Sequence, residues 1–107
     1  MELQYLTPRE KEIMGIIWRN EGDISEINLK PFLHTKKENV YARTTLSTFL
    51  MKLKEKGFIS KYRNGRESYV HAEVTVEEYI LYELQGMLEQ FCGNDKEKFK
   101  GIVSNIL

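Results

Sequence analysis

The chain offers little chemistry for an enzyme. Among its 107 residues there is one cysteine, Cys92, which excludes an intramolecular disulfide framework and any multi-thiolate metal site. A reducing, cytoplasmic location is the matching expectation. The two histidines, His34 and His71, share no metal-ligand spacing, and no glycine-rich phosphate loop, paired carboxylate site or Ser/His/Asp set stands out. No catalytic residue, metal or cofactor is therefore expected. No apolar run approaches the ~20 residues of a membrane span. The N-terminus is polar, so neither secretion nor a membrane partner is expected. Met14, Met51 and Met87 are scattered as filler or exposed positions rather than forming a cofactor box. What remains is an ordinary soluble composition, 41% hydrophobic and 30% charged. That suits one small domain, or one domain with a short appendage.

Net charge is also missing, but only in the sum. The 16 basic and 16 acidic residues cancel. By segment, residues 1–35 carry −2, residues 36–66 carry +7 and residues 67–107 carry −5. The basic middle holds Lys36, Lys37, Arg43, Lys52, Lys54, Lys56, Lys61, Arg63 and Arg66 against Glu38 and Glu55. A basic stretch between acidic ends is the electrostatic footprint of a polyanion partner when it falls on the right elements.

The elements can be read from capping and periodicity. Thr7, Pro8 and Glu10 form an N-terminal capping signature, and Ile13, Met14, Ile17 and Trp18 then share a helical face. A first helix at about 8–20 follows, ended by Asn20 to Gly22. Asp23 and Glu26 repeat the capping spacing and predict a short second helix with Ile24 and Ile27 turned inward, stopped or kinked at Pro31 with Phe32 and Leu33 packed. His34 to Asn39 reads as a loop. The third helix, about 42–56, has no glycine or proline from Arg43 to Lys56. Leu46, Phe49, Leu50 and Leu53 recur at i, i+3, i+4 and i+7, and Gly57 suits a left-handed C-cap. The opposite face holds Thr44, Ser47, Thr48 and Met51. A hairpin at about 58–72 turns at Asn64-Gly65, which predicts a type I′ turn pairing Arg63 with Arg66, Lys61 with Ser68 and Ile59 with Val70. A helix from about Val76 to Phe91 carries Ile80, Leu84, Met87, Leu88 and Phe91 as its stripe. Gly93 to Asp95 break it, and a last helix from Lys96 places Phe99, Ile102, Val103 and Ile106 on one face.

Three helices and a hairpin, in that order, describe a mostly helical α+β fold: a winged helix-turn-helix over 1–73, extended by a helical segment over 74–107. In such folds the third helix enters the major groove and the wing reaches backbone or minor groove. Thr44, Ser47 and Thr48 are small hydrogen-bonding groups suited to base edges, and Arg43 at the helix start could reach a guanine edge or a phosphate. Lys52, Lys61, Arg63 and Arg66 would neutralise phosphates. The apolar faces at Ile80, Leu84, Met87, Leu88, Phe91, Phe99, Ile102, Val103 and Ile106 exceed what a minimal winged helix buries and read as a dimerisation surface. His34, His71 and Cys92 read as structural or solvent-facing. The competing reading is a winged-helix module that binds protein without sequence-specific DNA binding, with a small-molecule sensor as a third.

The stretch from Tyr41 to Leu53, followed by Lys56-Gly57-Phe58-Ile59, resembles the recognition helix and wing start of the penicillinase-repressor family of winged-helix transcriptional regulators. Leu6, Thr7, Glu10, Ile13, Met14, Ile17 and Trp18 resemble that family's opening helix. Asn64-Gly65-Arg66 with Tyr69 resembles its wing, and Glu77-Glu78-Tyr79 the start of its dimerisation helix. The resemblance implies a homodimer that binds a palindromic DNA operator and represses transcription. For the antibiotic-resistance members it also implies partnership with a regulatory protease or sensor, and Asn105-Ile106 falls at the position matching the cut. Ile106 replaces the aromatic residue expected there, and family repressors usually continue further, which counts against proteolytic release. Cys92 alone cannot supply the cysteine cluster of the copper-responsive branch.

Overall fold

The computed structural model describes residues 3–30 and 43–107, with side chains described at all of these except 43–45. Contacts group the chain into two compact units, Met1–Thr75 and Val76–Leu107.

The first unit opens with α1, Pro8–Arg19. Its start is the expected capping box: Thr7 Oγ1 accepts from the Glu10 N–H at 3.3 Å, and Glu10 Oε1 accepts from the Thr7 N–H at 2.8 Å. Ile13, Met14 and Ile17 are buried on one face, and Trp18 Nε1 donates to the Val74 carbonyl at 2.8 Å.

The next segment departs from the expectation. Ile24–Ser25 form a short strand, β1, and the second helix, α2, is only Glu26–Leu29. Ser25, not Asp23, is the N-cap, accepting from the Asn28 N–H. Ile24 is buried as strand rather than helix, and Ile27, expected inward, is 66% exposed. The reason is geometric. Leu29 takes the inner position of α2, and a residue two places earlier lies roughly 200° around a helix. The expectations at Pro31, Phe32, Leu33 and His34 to Asn39 lie outside the described residues.

The third helix, α3, is Arg43–Glu55. Leu46, Leu50 and Leu53 are buried, and Phe49 is half-buried. Its end follows the Gly57 signal. Gly57 has φ +81°, its N–H donates to the Lys54 carbonyl, and the Phe58 N–H donates to the Leu53 carbonyl, both at 3.0 Å. That pair of bonds is a Schellman motif, and the Leu53 and Phe58 side chains that flank it are both fully buried.

Strands β2, Ile59–Asn64, and β3, Glu67–Ala72, form the hairpin, and β1 adds to β3 to give an antiparallel sheet ordered β1-β3-β2. The register differs from the one expected. Asn64 pairs with Glu67, Arg63 with Ser68, Lys61 with Val70 and Ile59 with Ala72. The turn is therefore Gly65-Arg66, with positive φ at Gly65 alone, the pattern of a type II′ turn. The expected type I′ register would have set Arg63 directly opposite Arg66, and like charges facing across a ladder destabilise it. The observed shift of two keeps side chains on their faces, so Ile59 and Val70 still point inward and are buried.

The second unit is α4, Val76–Cys92, and α5, Lys96–Val103, closed by a 3₁₀ turn at Ser104–Ile106. Gly93 and Asn94 adopt positive φ between the helices, and Asp95 caps α5 by accepting from the Lys98 N–H at 3.1 Å. Leu84, Leu88, Phe99 and Val103 line an apolar groove between α4 and α5.

Candidate nucleic-acid interface

Two elements of the first unit carry the expected interface residues. On α3, Ser47, Thr48 and Lys52 are exposed on the side away from the buried leucines. Ser47 and Thr48 present short hydroxyl side chains, which suit close approach to a groove floor. Lys52 also lies 5.9 Å from the Phe49 ring, which holds its charge against the helix. Met51 shares this exposed face, and Lys54 adds a further exposed cation that was counted in the basic stretch but not assigned to the interface. Arg43 and Thr44 open α3, and their side chains lie outside the described set.

On the wing, Arg63 and Arg66 are exposed at the tip. Arg66 occupies the turn itself, and Arg63 Nη2 donates back to its carbonyl at 3.3 Å. That contact leaves most of a five-donor guanidinium fork for an external acceptor.

Lys61 and Lys56 of the basic stretch each pair with a carboxylate of the same unit. Lys61 Nζ lies 2.6 Å from Glu26 Oε1 on α2, so an assigned phosphate ligand is also part of an ion pair within the unit. Lys56 Nζ donates to Glu10 Oε1 at 2.6 Å and to the Tyr5 carbonyl at 2.7 Å. Glu10 is almost wholly buried. Burial alone would push its carboxyl pKa up, but the hydrogen bonds from Lys56 and Thr7 and the Lys56 charge bring it below the ordinary value.

A cluster at the wing root was not anticipated. Asp23 Oδ2 accepts from the Tyr62 hydroxyl at 2.6 Å, and Asp23 Oδ1 lies 2.8 Å from His71 Nδ1. The hydrogen bonds from Tyr62 and His71 hold the Asp23 carboxyl below its ordinary range. Hydrogen bonding to Asp23 raises both the Tyr62 hydroxyl and the His71 imidazole. Asp23 carries a capping signal in the sequence, which hides this role, and its partners lie 39 and 48 residues further on.

In the second unit, Ile80, Met87, Phe91, Ile102 and Ile106 are exposed, while Leu84, Leu88, Phe99 and Val103 are half-buried along the α4/α5 groove. Among the described residues no group of three or more His, Cys, Asp or Glu side chains could hold a metal ion. No helix among them is long and apolar enough to cross a membrane.

The order α1-β1-α2-α3-β2-β3, with its three-stranded sheet and protruding basic hairpin, defines a winged helix-turn-helix. The chain belongs to the penicillinase repressor family, whose model matches residues 6–107. That is a family of DNA-binding transcriptional regulators rather than of enzymes. The chain is also similar to a protein of Latilactobacillus sakei described as an uncharacterized 16.5 kDa protein in the ptsI 3′ region, with 29% identity over 91 residues. The alignment covers 85% of this chain, and the chain spans 60% of the length of that relative.

Proposed function

We propose that this protein is a transcriptional repressor that binds a palindromic operator as a homodimer. In this reading α3 lies in the major groove, and Arg43, Thr44, Ser47 and Thr48 meet base edges. Lys52, Lys61, Arg63 and Arg66 contact the phosphate backbone, with Lys61 shared between Glu26 and DNA. The helical segment 74–107 joins two copies through Ile80, Leu84, Met87, Leu88, Phe91, Phe99, Ile102, Val103 and Ile106. The two recognition helices of such a dimer address half-sites about one helical turn apart, roughly 10 bp.

The observation that carries the reading is the pairing of an exposed hydroxyl face on α3 with an exposed two-arginine wing tip, in a chain of this family. A face of long charged side chains would favour backbone binding alone, and an apolar face would favour a protein partner. Selection of genomic fragments with the purified protein, at two salt concentrations, tests it. One short inverted repeat recovered at both concentrations is the expected result. Recovery of sequence-blind, salt-labile fragments alone, or of none, would overturn the repressor reading and favour a protein-binding module.

A further inference from the structure

The wing leaves the body of the first unit at one rung of the sheet. β1 pairs with β3 at Ile24–Val70 and Ser25–Tyr69, and Tyr69 pairs in turn with Tyr62 on β2. Beyond that rung, Arg63–Ser68 and Asn64–Glu67 form a two-stranded ribbon with no third strand beside it among the described residues. Such a ribbon is marginal alone and free to splay or twist. Asp23 stands just before β1, level with His71 and two rungs back from that last supported rung, and its two carboxylate oxygens take one partner from each wing strand: Tyr62 of β2, on the last supported rung, and His71 of β3, nearer the base. The Tyr62 ring also stacks on Tyr69, with centroids 5.6 Å apart and planes within 13°.

Asp23 is itself held. The Asn20 side-chain amide, at the end of α1, donates to the carbonyls of Glu21, Gly22 and Asp23 at 3.3, 3.1 and 3.3 Å. The connection therefore runs from the end of α1 through Asn20 and Asp23 to Tyr62, and Tyr62 immediately precedes Arg63. These bonds lie at the surface, where each adds little to folding stability. Their geometry constrains direction. A carboxylate near a phosphate-binding wing would repel the partner, and here it is engaged from both strands.

We propose that Asp23 is a positioning residue for DNA binding: through Tyr62 and His71 it fixes the angle at which Arg63 and Arg66 meet the phosphate backbone. This rests on the DNA-binding reading above. The lowered carboxyl of Asp23 and the raised imidazole of His71 agree with a persistent contact.

The test is affinity of the full chain for a duplex, measured against KCl concentration, in wild type, Asp23→Ala, Tyr62→Phe, Arg63→Ala/Arg66→Ala, and the combination of Tyr62→Phe with the arginine pair. Tyr62→Phe keeps the stacked ring and removes only the hydroxyl, so it decides the matter if Asp23→Ala fails to fold. The expected result is an affinity loss of about 3- to 10-fold in Asp23→Ala and in Tyr62→Phe, the scale of one lost hydrogen bond. The slope of log K on log salt should also become shallower by about 1–2, as one or two phosphate contacts are lost. Tyr62→Phe should have no further effect once the two arginines are gone, whereas a merely structural role would weaken both backgrounds alike. An unchanged slope, or full additivity with the arginine pair, overturns the inference while leaving DNA binding intact. Absence of salt-dependent DNA binding in wild type overturns both.

Discussion

Glu10 is 1% exposed, and it remains an anion because Lys56 and the Thr7 N–H surround its carboxylate. Deleting one member of such a pair leaves a buried, unanswered charge, which costs about 3–5 kcal/mol. Lys56→Met should therefore lower urea-unfolding stability by about 3 kcal/mol. The pH dependence has a definite sign. The folded-state pKa of Glu10 lies below the ordinary 4.5, so its stabilisation is complete above that value and is lost as pH falls through the folded pKa. Wild type should lose stability on acidification below pH 4.5. In Lys56→Met the carboxyl is buried without a counter-charge, and the gap to wild type should narrow over the same range. A gap that widens on acidification would contradict the ion pair. The residue-scale roles divide by reach. The Thr7–Glu10 box spans three residues and is legible in the sequence. The Glu10–Lys56 and Asp23–Tyr62 contacts span 46 and 39 residues, and nothing local in the chain marks either.

At the scale of elements, legibility follows the length of the repeating pattern. α3 is thirteen residues long, repeats its leucines at 46, 50 and 53 and ends at a glycine whose positive φ is required, so both its buried face and its stop are readable. β1 has two residues, too few to show an alternation, and it exists because β3 offers an open edge to Ile24 and Ser25. The same segment carries Asp23 and Glu26 at capping distance, so a local signal points to a helix where long-range pairing gives a strand. The wing turn is the second case. Asn64-Gly65 is a strong type I′ pair, yet the register with Gly65-Arg66 at the centre separates Arg63 from Arg66. This assignment makes a sharp prediction. Gly65→Ala should cost about 1 kcal/mol, since Gly65 holds φ +68°, whereas Asn64→Ala should be within about 0.5 kcal/mol of wild type. Equal losses at both positions would restore the type I′ turn. Thermal unfolding of the two variants separates the alternatives.

At the scale of the whole molecule, the two units divide the proposed work between reading DNA and joining copies. The apolar side chains of α4 and α5 are of two kinds: those lining the groove between the helices, and those such as Phe91 and Ile106 that are more than 70% exposed. Phe91→Glu alters an exposed position and leaves the groove residues in place, so it should yield a folded monomer in sedimentation analysis. Its operator affinity should fall with the loss of the second half-site. A dimer that survives Phe91→Glu unchanged would place the interface away from this face. The winged-helix order was readable as a whole because three helices and a hairpin in series leave few alternatives. Base recognition by α3 is the claim on which the rest depends. Its most direct measurement is the base preference of the full chain across a randomised duplex library, compared between wild type and Ser47→Ala/Thr48→Ala. The expected result is a symmetric preferred site in wild type, with discrimination relaxed by roughly 1–3 kcal/mol at a few matching positions of each half-site in the variant. Identical preference profiles in the two proteins would contradict the recognition face.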